Sequence, residues 1–206
     1  MEKIHTEGEV IGLVNGFAQY AVLSDPTGGA RGGIIPIKVQ VMPARGVGGR
    51  MIAIGSLRVI ARESVQNISV LIKKYTDKDI SKMDVHIHFV GAHVIDDDSV
   101  SVAIATGMVS AFANLPVRQN LVMAGALSVQ GEVMSIDGVV AMTKGASAAG
   151  IKHVIIPASN FEEVELDTEN LAKVNIIPVK QLDEVLVIAL VGWNKRTERH
   201  REAQNR

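Results

Sequence analysis

The segment from Ile95 to Gly107 reads IDDDSVSVAIATG, three aspartates running into Ser99 ahead of small, helix-forming residues. A serine hydroxyl there has two uses. It can cap the exposed backbone N–H groups of a helix start, a contribution of about 0.5–2 kcal/mol, or, given a base to take its proton, it can act as a nucleophile. Other chemistry-bearing patterns are weaker. Along MDVHIHF, strand periodicity puts His86 and His88 on one face, as a metal site requires, but no third ligand accompanies them, and the pair reads as a half-exposed strand face. GGARGG, Gly28 to Gly33, lacks the lysine and Ser/Thr with which a phosphate loop holds a nucleotide and its magnesium. Asp96, Asp97 and Asp98 are consecutive, so their carboxylates diverge where a calcium loop would space them out. They read as a solvated loop, with Asp98 favourably placed near a helix N-terminus. Without cysteine there is no thiolate nucleophile and no disulfide.

The elements around these residues alternate between strand and helix. VIGLV, YAVL and IIPIKVQVM are extended apolar runs in the first fifty residues, with a turn-rich stretch from Ser24 to Gly33 between them. From Ser56 to Tyr75, Leu57, Ile60, Ala61, Val65, Ile68 and Ile72 recur at three- and four-residue steps, which predicts an amphipathic helix. Val85, Ile87 and Phe89 alternate as a strand, and a helix follows from about Ser99 to Ala113. The strand LVMAGALSV, a turn at Gln130–Gly131, a short helix stopped by Gly150, the strands HVIIPA and NIIPV, and a final helix LDEVLVIALVG complete the order. With 206 residues, 47% hydrophobic content and a net charge of −1, the expectation is one α/β domain over residues 1–194 with a solvated polar tail from Lys195. Near-neutral charge argues against a nucleic-acid binder. No apolar run is long enough to span a bilayer and the start, MEKIHTEGEV, lacks a signal-peptide core, so the expected location is the cytoplasm.

The wording of several loops is similar to that of a known family. SLRVIARESVQNISVLIKKYTDKDISKMDVHIHFVG (Ser56 to Gly91), LSVQGEVMSIDGV (Leu127 to Val139) and ASAAGIKHVIIP (Ala146 to Pro157) resemble the proteolytic domain of Lon proteases of the archaeal type, over nearly the full chain. The family's GDSAS motif falls on Asp97, Asp98, Ser99, Val100 and Ser101, placing Ser99 at the nucleophile position. The resemblance implies an α/β fold of several short sheets packed with helices, a ring of six subunits, unfolded polypeptide as substrate, and no cofactor in this chain, with ATP acting only through an ATPase module that is absent here.

The family pairs its serine with a lysine. A neighbouring amine, held neutral by partial burial, can accept the serine's proton, and the backbone at a helix start helps stabilise the oxyanion. That lysine follows the GGV turn, which here reads Asp137-Gly138-Val139, and an ungapped match carries it onto Met142. Methionine has the reach of lysine but no ionisable group. Lys144 lies two residues on, about 200° around a helix and nearly on its opposite face; His93 is the other substitute base to consider. Three further departures surround the same pocket. The family threonine that positions the lysine is Ala124, the first glycine of the turn is Asp137, and the Asp96–Asp98 loop is one residue shorter than the archaeal pattern. The match predicts Ser99 at or next to a helix start, with Met142 facing it across a shallow cleft. Two readings stay open: a serine peptidase domain of weak or absent activity, and a catalytically silent ring scaffold or polypeptide-binding module.

Overall fold

The computed structural model describes residues 4–21, 30–46, 48–76, 78–91, 94–165 and 173–194. In chain order the strands are β1 (Glu9–Val10), β2 (Leu13–Ala21), β3 (Ala30–Pro43), β4 (Met51–Ile54), β5 (Met83–Phe89), β6 (Val94–Ile95), β7 (Val117–Arg118), β8 (Leu121–Met123), β9 (Ala126–Leu127), β10 (Val133–Met134), β11 (His153–Pro157) and β12 (Asn175–Val179). The helices are α1 (Val59–Thr76), α2 (Ser101–Ala113), α3 (Val139–Ala149), α4 (Phe161–Glu165) and α5 (Leu182–Ala189). The order is that of a mixed α/β domain, as the sequence implies. Ala30 to Gly33, read as part of a turn-rich stretch, instead open β3; residues 22–29 before them lie outside the described set, as does the tail from Lys195.

One eight-stranded sheet dominates, in the order β12-β11-β8-β2-β3-β5-β4, with β6 joining β2; β1–β7 and β9–β10 form two small antiparallel pairs. The long hairpin β2–β3 is antiparallel from Leu13↔Lys38 to Ala21↔Ala30. LVMAGALSV does not run as one strand. It breaks at Gly125, whose φ of +157° a glycine accepts without strain, into β8 and β9.

Alternation along the strands feeds a core on each face of the sheet. Val14, Ala18, Ile35, Ile37, Val85 and Ile87 join α1, α2 and α5 on one side. Phe17, Val122, Ala124, Val154 and Ile156 join α3 and α4 on the other. Helix α1 buries the predicted stripe with one exception: Ile60 is 46% exposed, turned toward a cleft described below. Helix α2 is buried on nearly every side, and only small residues let it come that close to the hairpin. A Cβ on Gly16 would fall 3.0 Å from the Cβ of Ala103, and one on Gly107 would fall 2.9 Å from Cγ2 of Val39. This close approach brings the start of α2, and Ser99 just ahead of it, against the edge of β2.

The hairpin also needs Gly32, because the ring of Phe17 lies across it; a Cβ there would fall 2.2 Å from Phe17 Cζ. Gly32→Ala should therefore displace Phe17 and cost about 1–3 kcal/mol, the usual range for overpacking. Thermal unfolding should show a Tm several degrees lower, while Gly46→Ala, where nothing lies within 4 Å of the added methyl, should leave Tm unchanged.

Candidate active site

Ser99 sits in a gap in the strand pairing. Strand β2 pairs β8 at Gly16 and β6 at Tyr20 and Ala21, so the backbone groups of Phe17 and Gln19 on that edge have no strand partner. Buried backbone groups must be satisfied, and two side chains do it. Asp97 Oδ2 accepts from Gln19 N at 2.9 Å, and Phe17 O accepts from Ser99 Oγ at 3.0 Å. The two side chains are joined, Ser99 Oγ to Asp97 Oδ2 at 2.6 Å and Ser99 N to Asp97 Oδ1 at 3.0 Å. One hydroxyl has one proton, so Asp97 and the Phe17 carbonyl share it. From the other side, Gly125 N donates to Ser99 O at 2.8 Å.

This corrects the capping expectation. Val100, not Ser99, occupies the N-cap of α2, and no side chain caps that helix. The aspartates are not mere solvated decoration either. Asp96 accepts from Ile60 N at 3.2 Å, a remote cap on the first turn of α1. Asp97 is the clip just described, and the carbonyl of Asp98 accepts from Ser101 N at 2.9 Å.

Ser99 and Met142 are both fully buried, so no open cleft separates them as the sequence match predicted. Met142 lies in the apolar cluster of α3 with Ala124, Phe17 and Val139. Met142, Ala124 and Phe17 thus belong to one hydrophobic cluster, and the backbone carbonyl of Phe17 accepts from Ser99. Lys144 is exposed on the other side of α3, and His93 lies outside the described residues.

An open cleft of about 600 Å³ lies beside the clip, lined by the carboxylates of Asp96, Asp97, Asp98, Asp137 and Glu163, and by one guanidinium, that of Arg58. Gly138, at φ +80° with Gln19 against it, starts α3 at its rim. Asn160, buried behind it, grips the backbone of Ile136 at both ends, accepting from its N at 3.0 Å and donating to its O at 2.9 Å, and also donates to Glu163. Partial burial, and then the charges of Asp97 and Asp137, push the Asp98 carboxyl above the usual carboxylate range. Among the described residues no group of three or more His, Asp or Glu could hold a metal ion, and no helix is long and apolar enough to cross a membrane.

Residues 2–192 match the family profile of the Lon protease (S16) C-terminal proteolytic domain. The chain belongs to the Lon protease family. It is 45% identical over 191 residues to the archaeal Lon protease of Thermoplasma volcanium, covering 91% of this chain and 29% of that protein. It is 45% identical to that of Archaeoglobus fulgidus, over 93% of this chain and 30% of the relative. To the Lon protease of Vibrio parahaemolyticus it is 33% identical, over 89% and 23%. The chain thus spans less than a third of the length of these relatives. Sequence reasoning placed Asp97 on the serine motif but missed its bond to Gln19, and it missed Gln19, Arg58, Asn160 and Glu163 altogether. Only Asp97 left a local signal: an aspartate two residues before the N–H it binds is an Asx turn.

Two outcomes follow. Ser99→Ala removes a donor from two buried or half-buried acceptors, and should lower stability by about 1–3 kcal/mol in urea unfolding. Asp98 holds its proton more tightly folded than unfolded. Its stabilising contribution is therefore complete below the ordinary aspartate range and lost as pH rises through the raised folded value. Asp98→Asn should raise Tm at neutral pH and do so progressively less as the medium is acidified, read from melting curves across a pH series.

Proposed function

We propose that this chain is a Lon-type domain that acts on unfolded polypeptide but carries out Ser-Lys proteolysis weakly or not at all. The observation that supports this most is the environment of Met142. At the position of the family lysine stands a fully buried thioether among apolar side chains, so no amine can take the proton of Ser99 from there. The proton acceptors that Ser99 does have, the Asp97 carboxylate and the Phe17 carbonyl, occupy its hydroxyl in holding the β2 edge. Attack on a peptide would require that clip to open.

The same clip favours a second reading, a catalytically silent member of a homo-oligomeric ring, hexameric by family resemblance. A serine with a structural task is kept whether or not it is a nucleophile. In either case ATP would act only through an ATPase module, and the polypeptide, not a small molecule, is the ligand of the domain.

The test restores the missing groups. Met142→Lys puts an amine in an apolar site, where desolvation lowers its pKa below that of free lysine and favours the neutral base. Without a hydroxyl at residue 124 that amine stays loosely oriented, and misplacement of a catalytic group can cost about a hundredfold in rate. Met142→Lys with Ala124→Thr should therefore cleave an unstructured reporter peptide faster than Met142→Lys alone, and far faster than the native chain. Ser99→Ala in the double-variant background should abolish the gain. A native chain whose cleavage already depends on Ser99, at a rate the double variant does not exceed, would defeat the proposal.

A further inference from the structure

Exposed hydrophobic side chains gather on the sheet outside the cleft beside Ser99. Val10 (38% exposed), Ile11 (46%), Met42 (39%) and Ile54 (48%) converge on one open groove of about 690 Å³. It lies on the face of β3, β5 and β4 opposite to Val85, Ile87 and Phe89, which enter the core. Strand register sets its floor in rows: Lys38 beside His88 beside Ile54, and Gln40 beside His86 beside Ile52. Apolar surface concentrated in this way marks an interaction site. Its chemistry differs from that of the cleft at Ser99: among the described residues the groove is lined by Lys38 and the imidazoles of His86 and His88 and by no carboxylate, where the cleft is lined by five.

The groove borders a sheet edge. Strand β4 ends the sheet, and among the described residues no strand pairs its outer side. At the other end β12 carries Pro178, which has no N–H to offer, whereas β4 has no proline. An edge without a strand partner, beside an apolar groove whose lining among the described residues holds basic side chains and no carboxylate, suits a ligand that brings its own backbone hydrogen bonds, places alternate side chains over the groove, and carries acidic groups toward Lys38 and the imidazoles.

We propose that the β4 edge and this groove form a docking site for an extended polypeptide segment with apolar and acidic side chains, which adds to the sheet as a further strand. The inference rests on the reading that the domain acts on polypeptide, and it assigns that polypeptide a second contact, separate from the Ser99 cleft.

The test uses the complete chain and a fluorescein-labelled peptide of about ten residues, one face alternating valine and glutamate and the other threonine, followed by fluorescence anisotropy. Saturable binding is expected. Ile54→Glu, at a half-exposed position that spares folding, should weaken it at least tenfold, as should lysine in place of the peptide's glutamates. N-methylation of alternate backbone nitrogens on the edge-facing side of the peptide should abolish it. Equal affinity of native and Ile54→Glu chains, indifference to N-methylation, or no saturable binding would each overturn the proposal. So would sedimentation in which a second copy of the chain covers the groove, seen as an oligomer that Ile54→Glu dissociates and the peptide does not. Binding is read without cleavage, so the two readings fail separately. Peptide bound in the groove of a chain that no rescue makes proteolytic removes the expected Ser-Lys rescue alone, and rescued cleavage without groove binding removes the docking site alone.

Discussion

Strand β2 has a hole in its hydrogen bonding, and the candidate site is built to fill it. Between its pairing with β8 and its pairing with β6, the Phe17 carbonyl and the Gln19 N–H have no strand partner. An unsatisfied buried peptide group costs as much as the hydrogen bond it lacks. Asp97 and Ser99 supply the partners from the start of α2. The close packing of α2 on Gly16 and Val39 delivers them to the right depth. The identity of Ser99 is therefore constrained by the sheet, independently of any reaction, and its presence alone carries little information about catalysis.

The Met142 environment is self-consistent in a different way. An apolar side chain at that position matches apolar neighbours in its cluster, Ala124 among them. In a Ser-Lys site the lysine must be neutral enough to accept a proton yet held by hydrogen bonds, so amine and orienting hydroxyl depend on each other. Loss of one removes the constraint on the other. On the proposed reading, methionine at 142 and alanine at 124 are two parts of one apolar pocket.

Much of the fold was legible because it rests on local rules. The three- and four-residue spacing of α1, the alternation of β5 and the stop of α3 at Gly150 all appear where periodicity and glycine placed them. Family wording singled out Ser99, Met142 and Ala124 as expected site positions; Met142 and Ala124 lie in one hydrophobic cluster. What sequence could not give were the bonds between distant residues. Ser99 reaches back 82 positions to Phe17, and Asp97 reaches 78 to Gln19. Local logic therefore offered a helix cap as the structural role of Ser99 and read the aspartates as a solvated loop. Ile60 misled for a related reason: it fits the apolar stripe of α1, but the carboxylate loop beside it leaves that position open to a cleft.

The long reach of the Asp97 and Ser99 bonds also bears on the time course of folding. The clip closes a large loop, joining a hairpin near the chain start to a turn almost eighty residues later. Contacts of that sequence separation tend to form after local elements. An interaction absent from the transition state acts on the rate of escape from the native state, not on the rate of arrival. Asp97 and Ser99 then set how long the native domain persists, so a chain weakened at the clip would fold at its usual rate and unfold sooner.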